Sequence, residues 1–359
     1  MFKVYQKYII KKFLIKFIYI FIIFFCLVFI LNSFEEINFF KKIDANFLLP
    51  YLISFLNTPI VLFEIFPFIF LLSSQFLFFE IFKKDELIHL KLNGLTNIKI
   101  IGLLFVTSLI LGIFTITIYY NLSSKLKFFY TDLKNNYSND NKYLAVVTDN
   151  GLWLKDEING SILITKAINM NDNFLIDVVV NEFDENFDLK QIIQSEKVDI
   201  SKNSWVILNP KITINNISKN SDKPLNLLTN FDKVKINSMF SNISTLNIFE
   251  LFNLKKDFEK LGYSSDEIKI YLSKLFSTPY FYGLMTVLSS IIMLNLKKNS
   301  SFYFHVIMGV FLSVTIYYVS FIFSSLGNAG KLPPDISVFL PIVLITILII
   351  IGLITVNEK

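Results

Sequence analysis

The residues best suited to chemistry lie in a charged stretch, residues 83–99, between two of the most apolar segments of the chain. At helical spacing, intervals of three, four and four residues would align one polar stripe, formed by Glu86, His89, Asn93 and Asn97. The opposite side would carry Leu87, Leu90, Leu95 and Ile98. Such a helix either lies in the headgroup region of a membrane or docks a partner that applies force to it. For the second case, Glu86 is expected to be exposed and to pair with a basic residue of that partner.

The remaining motifs predict no catalytic or metal site. His89 and His305 are far apart, and neither has a cysteine or carboxylate at metal-ligand spacing. The segment "GNAGK", residues 327–331, lacks the G-x-x-x-x-G-K-[ST] pattern of a phosphate loop and is followed by two prolines. We therefore expect no cofactor, and any ATP that drives this protein must be bound by another chain.

The composition is that of a membrane protein. The chain has 359 residues, of which 53% are hydrophobic and 40 are phenylalanine, and its mean hydropathy is +0.54. All 34 basic residues are lysine. The single cysteine, Cys26, lies inside an apolar run, so no disulfide framework or thiolate metal site is indicated.

Six apolar runs reach the roughly 20 residues that a spanning helix needs. They are residues 13–33, 58–79, 100–121, 275–296, 302–325 and 336–356. Lysines precede the first run and lie between the second and third and between the fourth and fifth, which predicts that those sides are cytoplasmic. Both termini are then cytoplasmic, and the long region after the third run lies on the far side of the membrane.

That long region has a different pattern. Residues 122–274 carry 19 lysines against 20 acidic residues, whereas the rest carries 15 against 9, so the positive excess belongs to the membrane part and does not indicate nucleic-acid binding. Period-two alternation broken by Asn, Asp and Gly predicts an antiparallel sandwich or jelly roll over residues 122–245. Trp153 and Trp205 are expected in its core.

The predicted domain order follows from these patterns. Residues 1–121 hold spans one to three with the short helix 83–99, residues 246–273 form a helical connector, and residues 274–359 hold spans four to six. Two charged residues lie within the first two predicted spans. Lys16 is predicted to be a snorkelling anchor, and Glu64 is either a functional intramembrane carboxylate or a side chain that snorkels to the nearby interface.

Several segments, in this order, resemble one known family. They are "DELIHLKLNGLTNIKI" (residues 85–100), "NGLWLKD" (150–156), the pair Pro59 and Pro67, and "GKLPPDISVFLP" (330–341). Over nearly its whole length the chain resembles the LptF/LptG permeases of lipopolysaccharide export, and more closely the LptG branch.

This resemblance implies a transport subunit of the bacterial inner membrane, with its large domain in the periplasm, and not an enzyme. It implies pairing with an LptF-type permease, docking on an LptB-type ATPase dimer, and transfer of lipopolysaccharide through periplasmic β domains to LptC-type and LptA-type proteins. The residues implied in coupling to the ATPase are Asp85, Glu86, His89 and Gly94.

One departure from the family pattern concerns the lipid. LptG relatives carry a lysine near the periplasmic end of the first span that contacts lipid phosphates, and the matching position here is Asn32. Lys41 and Lys42, in the first external connector, are the expected substitutes, so these three residues are the predicted substrate-binding set.

Two other classes of protein remain as alternatives. A permease of the lipoprotein-release type also works with a separate ATPase, but it has four spans and places its external domain after the first. A membrane-anchored receptor with an external sandwich would need no docking helix.

Overall fold

The computed structural model describes residues 3–41, 46–92, 94–137, 152–158, 160–171, 173–202, 204–215, 217–231, 233, 236, 242–260, 264–295 and 302–357. The chain divides into two compact units. The first, the membrane unit, comprises Met1–Lys127 and Asp266–Lys359. The second, the sheet unit, comprises Phe128–Ser265.

The described helices, in chain order, are α1 (Val4–Phe40), α2 (Leu49–Lys83), α3 (Glu86–Leu92), α4 (Asn97–Phe114), a π-helical turn (Thr115–Tyr120), α5 (Asn121–Asn136), α6 (Ile248–Lys260), α7 (Asp266–Leu294), α8 (Phe302–Asn328) and α9 (Pro334–Asn357). Six helical segments are long and apolar enough to cross a membrane, with α4, the π turn and α5 together forming the third. The six-span prediction is confirmed. Since the β strands follow the third segment, the four-span architecture of the lipoprotein-release type does not fit.

The stretch at residues 83–99 is not one helix, as predicted, but two helices joined by a turn. The turn centres on Gly94, whose φ of +79° favours glycine and whose N–H donates to the Lys91 carbonyl at 2.9 Å. Thr96 then caps α4, so Asn97 belongs to that helix and not to the predicted polar stripe. The prediction was wrong because helical spacing persists across a break that the left-handed glycine creates.

Helices α2 and α7 form the buried centre of the membrane unit, whereas α1 and α8 remain largely exposed. Small and hydroxyl residues allow the central helices to approach closely. Ser74 and Ser290 lie 3.2 Å apart between their hydroxyl oxygens, and those of Ser108 and Thr286 lie 2.8 Å apart. At Gly112, an added Cβ would lie only 2.5 Å from the backbone Cα of Pro279.

The sheet unit contains eight described strands. They are β1 (Leu152–Ile158), β2 (Ser161–Asn171), β3 (Phe174–Phe183), β4 (Leu189–Asp199), β5 (Ser204–Leu208), β6 (Lys211–Ile214), β7 (Ile217–Asn220) and β8 (Leu225–Leu228). All pairings are antiparallel, in the order β1-β2-β3-β4-β5-β8, with β6 bridging β4 and β7. The antiparallel prediction is confirmed, but its start at residue 122 was too early, because α5 runs to Asn136.

The two ends of this strand order are joined through side chains. The Asp156 carboxylate on β1 accepts hydrogen bonds from the Thr229 hydroxyl and the Asn230 backbone N–H, each at 2.8 Å, just after β8. Trp205, buried as predicted, donates from its indole N–H to the Phe231 carbonyl at 2.7 Å. The sheet therefore curls around a single apolar core.

Trp153 does not belong to that core. Its side chain is 49% exposed, and the ammonium of its cross-strand neighbour Lys166 lies 5.1 Å from the ring centroid. The prediction of a buried Trp153 was wrong because alternation along β1 directs Leu152 and Leu154 inward and the residue between them outward.

Candidate docking helix and membrane cavity

Helix α3 presents a compact mixed surface, which we call the α3 surface. It consists of Asp85, Ile88, His89 and Leu92, all of which are exposed. Leu87 points the other way and is 8% exposed, so it anchors the helix to the membrane unit. Of the four residues predicted to couple to an ATPase, Asp85 and His89 lie on this surface, and Gly94 forms the turn that ends the helix.

Glu86 does not belong to the α3 surface. Its carboxylate accepts two hydrogen bonds from the Lys12 ammonium of α1, at 2.8 Å and 2.7 Å. The two side chains are only 21% and 14% exposed. The expectation of an outward-facing Glu86 was therefore wrong, because a lysine of the same chain already neutralises it.

The Lys12–Glu86 pair is part of a larger cluster at the ends of α1, α2 and α3. Glu80 of α2 lies 3.3 Å from Lys12, 2.6 Å from Lys16 and 2.8 Å from Lys84, measured between carboxylate oxygen and ammonium nitrogen. Lys16, expected to be a snorkelling anchor, is thus an ion-pair partner of α2. We call these five residues the ion-pair cluster, and it ties three helices together.

Sequence reasoning did not assign Lys12 and Glu80 to any site. The sequence indicated part of this cluster, because the four-residue spacing of Lys12 and Lys16 places both lysines on one side of α1. Their acidic partners, however, lie far away in the chain, at a separation of 74 residues for Glu86. Only helix packing brings these charges together.

A cavity of about 370 Å³ lies between α2, α7, α8 and α9 within the membrane unit. Its walls are largely apolar, but they include two charged side chains, Glu64 of α2 and Lys274 of α7, and several hydroxyls, among them those of Tyr317 and Ser320 on α8. Glu64 interacts electrostatically with Lys274 and also with Lys127. Sequence reasoning singled out Glu64 but not Lys274, which precedes the predicted fourth span by one residue.

The predicted lipid-binding residues are not brought together. Asn32 is buried, and its side-chain amide donates to the Thr58 hydroxyl of α2 at 3.4 Å. Lys41 is exposed immediately after α1, and Lys42 falls outside the described residues. Another cation near α2 is Lys127, whose ammonium donates to the Asn57 side-chain carbonyl at 2.7 Å.

The comparison with known proteins agrees with the six-span arrangement and the intervening sheet. No curated protein matches the chain. A family model, described as the lipopolysaccharide export system permease LptF/LptG, matches residues 7–355 and does not distinguish the two branches of the family. Because this match covers nearly the whole chain, the protein belongs to the LptF/LptG family of lipopolysaccharide export permeases.

Proposed function

We propose that this chain is one of two permease subunits of an ATP-driven exporter, in which α3 receives force from a cytoplasmic ATPase dimer of the LptB type. The α3 surface supports this proposal. It places an acidic residue, Asp85, immediately before a short helix that exposes Ile88 and Leu92 between two membrane segments. A small acidic and apolar surface suits insertion into a groove of a partner protein.

In this proposal the ion-pair cluster transmits the force. A displacement of α3 would act on α1 through Glu86 and Lys12, because their bond is short, charge-assisted and mostly shielded from water. Docking and transmission are then separate tasks. The α3 surface binds the ATPase, and the inward-facing Glu86 couples binding to movement of α1.

The orientation that lysine placement predicts completes the proposal. Both termini and α3 are cytoplasmic, and the sheet unit is periplasmic. A second permease of the LptF type would pair with this chain, and lipopolysaccharide would pass along the sheet unit to LptC-type and LptA-type proteins. Apolar surfaces are needed along this route, since each exposed CH₂ of an acyl chain costs about 0.8 kcal/mol in water.

The decisive test is copurification with the ATPase. Replacing Ile88 and Leu92 by aspartate should lower the amount of bound ATPase at least about tenfold, because it puts two charges into a desolvated contact. Val4→Asp is the matched control, since Val4 is also apolar and exposed. Wild-type copurification of the Ile88/Leu92 double variant would refute docking through α3. A failure of the wild-type chain to bind any ATPase would refute the proposal that an ATPase drives it.

For the lipid, we propose that Lys41, together with Lys42, contacts the headgroup phosphates. The exposed position of Lys41 supports this role, whereas buried Asn32 offers its amide to Thr58. Changing both lysines to glutamine should weaken crosslinking to lipopolysaccharide in the reconstituted complex. The control changes Lys7 and Lys11, which are exposed on α1 and lie outside the ion-pair cluster. Unchanged crosslinking would assign the phosphates to other groups.

A further inference from the structure

The cavity between α2, α7, α8 and α9 holds two opposite charges that do not satisfy each other. Glu64 and Lys274 interact electrostatically, yet among the described residues neither carboxylate nor ammonium makes an ion pair within 4.0 Å. Both side chains are exposed to the cavity. Charged groups are costly at membrane depth unless they meet a partner, so a ligand that carries both charges would stabilise both side chains.

Part of the cavity wall lies close to the ends of the membrane helices. Lys274 lies eight residues after Asp266, the first residue of α7, which corresponds to about 12 Å along a helix. Ser337 lies in the first turn of α9, and Ser324 lies in the last two turns of α8. All three are therefore near the helix ends that, in the proposed orientation, face the outer leaflet.

The hydroxyl groups that line the cavity can accept hydrogen bonds from a ligand. Ser277 and Thr278 donate to the Lys274 backbone carbonyl, at 2.9 Å and 2.8 Å, so their oxygens can still accept from an ammonium group. The cavity is also accessible from the side, because α8 is among the least buried helices and Phe321 is 56% exposed. A lipid could therefore enter laterally with its acyl chains remaining in the bilayer.

From this geometry we infer that the cavity binds the headgroup of a zwitterionic phospholipid bearing a primary amine, with its phosphate at Lys274 and its ammonium at Glu64. Net charge decides between ligand classes. Glu64 also interacts with Lys127, but Lys127 is not among the residues that line the cavity, so the lining carries one charge of each sign. Within the cavity, a purely anionic headgroup would be repelled by Glu64, and a purely cationic one by Lys274. A headgroup that carries both charges on a short spacer satisfies both residues, and its N–H donors can also reach the hydroxyls.

This cavity is separate from Lys41 and Lys42, the residues proposed to contact lipopolysaccharide. Binding of a phospholipid in it would affect helix α8. A bound phospholipid would link α2 and α7, which carry the charges, to α8, which supplies Tyr317 and Ser320. Helix α8 already packs against α2, α7 and α9, and a bound phospholipid would add to these contacts. The inference rests on the proposed function only in assigning the cavity to the outer leaflet. The charges and the cavity are the same in either membrane orientation.

The test is lipid binding to the full chain, purified with whatever subunits accompany it and studied by native mass spectrometry. Phosphatidylethanolamine and the anionic phosphatidylglycerol are titrated separately. We expect tighter binding of phosphatidylethanolamine. Glu64→Gln and Lys274→Gln should each weaken it about tenfold, the loss expected for one charge-assisted hydrogen bond. Asp335→Asn and Lys125→Gln, which alter exposed residues outside the cavity lining, should leave it unchanged.

Ser320→Leu is a second variant, which should fill the cavity while keeping both charges. We expect it to lose phospholipid binding as well, and that loss could not be attributed to misfolding caused by removal of a charge. Equal affinity for the two lipids, preference for phosphatidylglycerol, or wild-type binding by the Glu64 and Lys274 variants would overturn the inference. Because the readout is phospholipid binding and not ATPase copurification, its failure is distinguishable from failure of the proposed function.

Discussion

The Lys12 ammonium donates to both carboxylate oxygens of Glu86, at 2.8 Å and 2.7 Å, and thereby links the start of the first membrane helix to the short helix α3. Each side chain is less than one quarter exposed, so water screens the pair only in part. In the proposed function, this contact separates docking of the ATPase from transmission of force to α1. Glu86 faces its own chain, while the α3 surface remains available to a partner.

The first prediction concerns this pair. Lys12→Gln and Glu86→Gln should each destabilise the membrane unit, and a double-mutant cycle should give a coupling free energy of about 1–3 kcal/mol. Thermal unfolding in detergent measures the cycle. ATPase copurification should persist in Glu86→Gln because the α3 surface is unchanged, whereas lipid-stimulated ATP hydrolysis should fall. Additive single-variant effects would show that the contact carries no coupling.

A second prediction concerns close packing of α4 against α7. Gly112→Ala should lower the free energy of unfolding by about 1–3 kcal/mol, since its new methyl group would lie 2.5 Å from the Pro279 backbone. Gly102→Ala is the matched control on the same helix, because an added Cβ there meets nothing within 4 Å. It should be neutral or slightly stabilising, given the higher helix propensity of alanine. Equal effects of the two changes would contradict this packing.

The sheet unit gives a third prediction. Asp156→Ala should destabilise it by about 2–4 kcal/mol, because the Thr229 hydroxyl and the Asn230 N–H lose a buried acceptor. Unfolding can be followed through the fluorescence of buried Trp205 after Trp153, which is exposed, is changed to phenylalanine. Asp222→Ala, at an exposed position, is the control. Wild-type stability of the Asp156 variant would mean that the link between the ends of the sheet is dispensable.

The fourth prediction tests orientation. In a variant without Cys26, a single cysteine at Lys84 should be protected from impermeant thiol reagents in intact cells, whereas cysteines at Lys219 and Lys331 should react. All three positions are exposed, so burial does not explain a difference between them. Labelling of the Lys84 position from outside would reverse the proposed topology.

The sequence by itself determined the architecture. Six apolar runs of about 20 residues predicted six membrane helices, because only helices and closed barrels satisfy the backbone in a bilayer and runs of this length match a helix. Alternation predicted the antiparallel strands between the third and fourth spans, since residues of one face recur every second position. These features depend on local periodicity, which a sequence displays directly.

Only the tertiary structure decided which side chains come together at each candidate site. The polar stripe predicted for residues 83–99 failed at Gly94, where one backbone angle redirects the chain. Glu86 pairs with Lys12 of α1, and Glu64 lines the same cavity as Lys274. Electrostatic interactions depend on distance in space and not on separation in sequence. Helix packing therefore determined which charges meet, and with them which surfaces remain free for a lipid or a partner protein.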